Sequence, residues 1–80
     1  MRSLDGVVTI VQESRFLLQT GQGEHHLFLL SHNASLEPAQ LAPLQRSQSR
    51  VRVEYETAPD LIALVARSIT RLGPDREKLV

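Results

Sequence analysis

The chain of 80 residues contains no cysteine. Disulfides, thiolate nucleophiles and cysteine-ligated zinc are therefore excluded, and the fold must rest on side-chain packing. Aromatic residues are scarce: two phenylalanines, one tyrosine and no tryptophan. An excess of one charge is also missing, because nine basic residues balance nine acidic ones. Nothing in that balance steers the whole molecule toward polyanions. Long hydrophobic runs are absent too. The longest, 61–66, ends at Arg67 and falls far short of the ~20 residues that cross a bilayer. An earlier run of about six residues follows Asp5 and lacks the length of a signal-peptide core. These absences lead to the expectation of a soluble, cytoplasmic protein with no membrane partner.

What is present suits one small domain over residues 1–80. A chain this short hides only about 60% of the surface its unfolded form exposes, so each large apolar side chain matters. The ordered core is expected over about 5–72. Residues 1–4 are expected as a loose end, Asp5-Gly6 as a turn, and the charged stretch 73–80 as a flexible tail.

The organising stretch is 15–30, RFLLQTGQGEHHLFLL. Two apolar strands are joined through Thr20, Gly21, Gln22 and Gly23, where the glycines supply the positive φ angles that a reversal needs. Period-two alternation places Phe16 and Leu18 on one face and Arg15, Leu17 and Gln19 on the other. On the returning strand it separates His26, Phe28 and Leu30 from His25, Leu27 and Leu29.

Before the hairpin, 7–12 is rich in β-branched residues. Val8 and Ile10 fall on one face, Val7 and Val11 on the other, so the strand belongs inside a sheet. After the hairpin, 32–35 reads as a loop, and 36–45 places Leu36, Gln40, Leu41 and Leu44 at helical spacing. Ser35 is available as a cap and Pro38 is tolerated in the first turn. Pro43 would break a long helix, so this one is short or kinked near Ala42. Stretch 50–56 alternates cleanly, with Val51, Val53 and Tyr55 inward and Arg50, Arg52, Glu54 and Glu56 outward.

Stretch 61–72 has two readings. Leu61, Leu64, Val65, Ser68, Ile69 and Leu72 fall at helical spacing, with Asp60 as a cap and Gly73-Pro74 as a stop. As a strand, it needs a bulge near Ala66 to keep one inner face.

The order of three strands, a short helix, a strand and a fifth element resembles the OB-fold, a five-stranded Greek-key barrel. The residues that carry the resemblance are Gly6-Val7-Val8, Arg15-Phe16-Leu17-Leu18, Gly23, Leu27-Phe28-Leu29, Leu41, Leu44 and Val51-Arg52-Val53-Glu54-Tyr55. The chain looks like the small, stand-alone bacterial OB-like proteins of unassigned function. The resemblance implies a mainly β, five-stranded barrel with one short helix between strands 3 and 4. The alternative is an α+β domain, a four-stranded sheet with a C-terminal helix 61–72. The barrel is favoured because an open sheet would leave long apolar edges.

The residues offer little for catalysis. There is no G-x-S-x-G elbow, Glu54 and Glu56 lie on a solvated strand face, and Gly21-Gln22-Gly23 lacks the helix a phosphate loop requires. His25 and His26 point to opposite faces, and His26 and His32 lie near 20 Å apart in extended chain, so no metal or other cofactor is expected.

The resemblance implies single-stranded nucleic acid as one partner, with Arg15, Arg50 and Arg52 available for phosphates. Alternation, however, turns Phe16 and Tyr55 inward, away from any base. If Phe16 and Leu18 are inward, the hairpin's other face shows Leu17, Leu27 and Leu29, framed by Arg15, Gln19 and His25. The expected function is therefore a non-catalytic binding module. It would mediate protein–protein interaction or self-association, with single-stranded nucleic acid as the alternative.

Overall fold

The computed structural model describes residues 2–58 and 62–72. Its elements are β1 (Arg2–Gln12), β2 (Arg15–Thr20), β3 (His25–Leu30), a 3-10 turn (Pro38–Gln40) running into α1 (Leu41–Ser47), β4 (Arg50–Glu56) and β5 (Leu64–Arg71). The strands close into a barrel in the order β1-β2-β3-β5-β4. Only the β3–β5 pairing is parallel. The mainly β, five-stranded barrel with a short helix between strands 3 and 4 is what was expected, and it is consistent with an OB-like fold. Among the described residues, no helix is long and apolar enough to cross a membrane.

β1 is longer than its valine-rich stretch suggested. Ordered strand begins at Arg2, so 2–4 are not a loose end and Asp5-Gly6 is not a turn. The missing information was the partner: Arg2 to Val7 pair with Tyr55 to Arg50 of β4. From Gly6 onward the strand also pairs with β2, starting opposite Thr20. Gly6 thus belongs to both ladders, and a Cβ there would stand 2.3 Å from the Gln19 carbonyl oxygen.

A register break between Val8 and Ile10 changes the faces of β1. An extra residue in one strand shifts the side chains beyond it to the other side of the sheet. Val8 is therefore buried, whereas Ile10 lies on the outside with Val11 packed inward against the core. The expected shared face of Val8 and Ile10 is corrected by this bulge.

The last strand decides between the two readings of its sequence. β5 pairs with β4 in a register that passes from Glu54↔Ser68 to Tyr55↔Ala66, leaving Arg67 as the extra residue. Ala66 and Ile69, three apart, consequently both face the core. The helical spacing is the signature of a bulged strand, and the C-terminal helix 61–72 is not formed. The Asp60 cap, the Gly73-Pro74 stop and the tail 73–80 lie outside the described residues.

The β2–β3 turn is a three-residue loop. The Gly23 N–H donates to the Thr20 carbonyl and the Thr20 N–H to the Glu24 carbonyl, each at 2.9 Å. That pattern needs one left-handed residue, placed here at Gly23 with φ 84°. Gly21 does not adopt a positive φ, so one glycine does what two were expected to do.

Inside the barrel, Phe16 stacks on Phe28 at 5.2 Å between ring centroids. Tyr55 meets Phe28 edge-on at 5.5 Å. Val8, Leu18, Val51, Val53 and Ala66 complete the middle layer, and Leu41 and Leu44 of α1 pack against it. Pro43 is the third residue of α1, where an N–H would have no intrahelical acceptor anyway. Ser35 does not cap the helix. Its hydroxyl accepts from the Ile69 N–H at 3.4 Å, and the helical segment starts instead where Gln40 Oε1 accepts from the Glu37 N–H at 2.8 Å.

Candidate functional site

The outward face of the β2–β3 ribbon carries six of the eight residues singled out from the sequence. Cross-strand register sets Arg15 beside Leu29, Leu17 beside Leu27 and Gln19 beside His25. Antiparallel partners directly opposite each other lie within side-chain contact, so each pair forms a unit. β1 extends every row: Gln12 stands next to Arg15, Ile10 next to Leu17 and Val7 next to Gln19. Val65 of β5 lies beside Leu29.

The middle row is apolar across three strands. Ile10 is 55% exposed and Leu27 39%, while Leu17 between them is half-buried. With Gln12, Arg15 and Phe16, these three residues line a shallow depression of about 250 Å³. Leu29, expected in the same exposed group, is half-buried. Ile10 was missed because the bulge that turns it outward leaves no mark in the local pattern. Ile62, fully exposed just before β5, was not singled out from the sequence either.

The two remaining candidates sit on β4. Arg50 is in register with Val7, so the row Gln19–Val7 leads to it two strands from β2. Arg50, Val7 and Gln19 border a second depression of about 270 Å³ with Asp5 and Thr20. Arg52 is engaged locally. Its Nε donates to Asp5 Oδ1 at 2.8 Å and its Nη2 to Asp5 Oδ2 at 3.0 Å, a two-pronged ion pair across β1–β4. The hydrogen bonds from Arg52, assisted by its charge and that of Arg50, hold the Asp5 carboxyl below the ordinary aspartate value. The same pairing raises the Arg52 guanidinium above its usual value.

Further along β4 and β5, Ser68 Oγ donates to Glu54 Oε1 at 2.8 Å, and Arg67 pairs with Glu56 at 3.3 Å. No charged side chain is fully buried among the described residues. Nor do three His, Asp or Glu side chains converge there as metal ligands. The three aromatic rings all belong to the core, so none stands on the outer surface beside Arg15.

No family model, curated protein or solved structure matches the chain. The arrangement of residues is therefore the basis for a functional reading.

Proposed function

We propose that this chain is a non-catalytic binding module that meets a protein partner, or a second copy of itself, through the outer face of β2–β3. The observation that carries the reading is the row Ile10, Leu17 and Leu27, whose outer members are 55% and 39% exposed. An apolar strip framed by arginine, glutamine and histidine has the composition of a protein contact surface. The non-catalytic, cofactor-free part of the reading is supported by the side chains described. Asp5 and Arg52, whose pKa values are displaced, owe the shift to an ion pair at the surface, whereas catalytic acids and bases are usually shifted by burial in a cleft.

A cytoplasmic setting and kinship with small bacterial OB-like proteins belong to the same proposal. They are supported by the barrel topology and by a core that needs no oxidising compartment. Single-stranded nucleic acid is the competing reading. It is less well supported, since the rings are interior and both prongs of Arg52 are occupied by Asp5.

The test is Leu27→Glu, which places a charge at one end of the row without entering the core. Sedimentation of the purified protein and pull-down with a tagged chain are compared with wild type, and thermal melting confirms that the barrel is intact. The expected result is a lower apparent mass or a lost partner at an unchanged melting temperature. A wild-type protein that stays monomeric and captures nothing refutes the proposal. If it instead binds a labelled oligonucleotide at low salt, less tightly at higher salt and after Arg50→Ala, the nucleic-acid reading replaces it.

A further inference from the structure

The β3–β5 seam is the short one. Its parallel ladder covers three pairs, from Phe28↔Leu64 to Leu30↔Ala66, whereas β2 accompanies β3 from His25 to Leu29. Two hydrogen bonds fix which way the main-chain groups of β3 point. The Leu30 N–H donates to the Ser14 carbonyl at 2.8 Å, toward β2, and the Ser31 N–H donates to the Ala66 carbonyl at 2.9 Å, toward β5. Because β3 pairs with β2 without a register break, alternation turns the N–H groups of Leu29, Leu27 and His25 toward β5 as well. Leu29 lies inside the parallel ladder, but His25 and Leu27 precede its first pair. The His25 N–H and C=O and the Leu27 N–H therefore have no ladder partner among the described residues. Ile62 is 100% exposed, more than a residue seated against β3 would be.

Unpaired main-chain groups along a strand are a template for another strand. Here the template adjoins the apolar row. A strand laid against residues 25–27 would place one side chain beside Leu27 on the outer face, extending Ile10–Leu17–Leu27 by one member. We infer that this margin binds an extended segment of a partner protein as an added strand, with a branched aliphatic residue beside Leu27. The inference rests on the protein-binding reading above and specifies the partner's form. A second globular copy is the poorer occupant. Three main-chain groups and a few side chains cover far less than the ~800 Å² per partner of a standard interface. A short segment held by main-chain hydrogen bonds suits a margin of that size.

The probe is the end-blocked peptide Lys-Thr-Val-Thr-Val-Thr-Lys, together with two forms N-methylated at either the valines or the threonines. Binding is followed by the backbone amide signals of the isotopically labelled protein. In the free protein, the His25 and Leu27 amides should exchange with solvent much faster than that of Leu29. The plain peptide should shift and protect both. One methylated form should bind about fivefold or more weakly, and His25→Pro, which removes a donor on the margin and no bond to β2, should weaken binding similarly. Three results overturn the inference: His25 and Leu27 amides already as protected as Leu29, no shift up to millimolar peptide, or affinity indifferent to methylation and to His25→Pro. In the last case, if Leu27→Glu still abolishes binding, the outer-face reading stands and strand addition alone falls.

Discussion

Gly6→Ala should be among the most damaging single-methyl additions to this protein. The new Cβ would lie 2.3 Å from the Gln19 carbonyl oxygen, 2.9 Å from the Gln19 carbonyl carbon and 3.1 Å from Leu18 Cγ. Two of these atoms are main chain in the adjoining strand, so no side-chain rotation relieves the clash. Strand β2 must move away by roughly 1 Å to restore van der Waals distance. Gly6 pairs with Thr20 on one side and Val51 on the other, so β1 cannot give way in the opposite direction without disturbing β4. Overpacking of this kind costs about 1–3 kcal/mol, and one or two weakened ladder bonds add about 1 kcal/mol each. Reduced freedom of the unfolded chain returns about 0.4–1 kcal/mol. The net loss is about 2–4 kcal/mol, a large share of the ~4–12 kcal/mol expected for a domain of this length. Melting should fall by about 10–25 °C, read by far-ultraviolet circular dichroism and by urea titration. Gly21→Ala is the control, because nothing lies within 4 Å of its Cβ position, and its stability should stay within about 1 kcal/mol of wild type. Equal melting of the two variants would refute the steric argument.

Three further outcomes follow from the same geometry. Phe28→Ala removes the ring that both Phe16 and Tyr55 contact; it should cost about 3–5 kcal/mol in urea titration and leave the barrel partly unfolded at 37 °C. Gln48 ends α1 in the left-handed conformation, φ 52° and ψ 37°, so Gln48→Gly should raise stability by about 0.5–1 kcal/mol in the same assay. Asp5 has its folded pKa lowered by Arg52. Its stabilisation is therefore fully present above the unfolded aspartate value near pH 4, at about 3.9, and is lost as pH falls through the lower folded value. Asp5→Asn should flatten that part of the acid-denaturation curve and leave the slope above pH 5 unchanged.

The sequence alone determined which faces are apolar wherever a strand is regular. In β2, β3 and β4, period-two alternation placed Phe16, Leu18, Phe28, Leu30, Val51, Val53 and Tyr55 in the core. It left Arg15, Gln19, His25 and Leu27 outside. Such alternation is a local property of extended chain, and no partner is needed to see it. The tertiary structure decided what depends on pairing. Whether 64–71 was helix or strand was settled by β4, against which the Arg67 bulge gives a strand helical spacing. Whether Ile10 faced in or out was settled by its register with Leu17, and whether Arg52 was available was settled by Asp5, 47 residues away. Bulges and long-range ion pairs arise between segments distant in the chain, so their cause lies in the partner strand rather than in the stretch that bends.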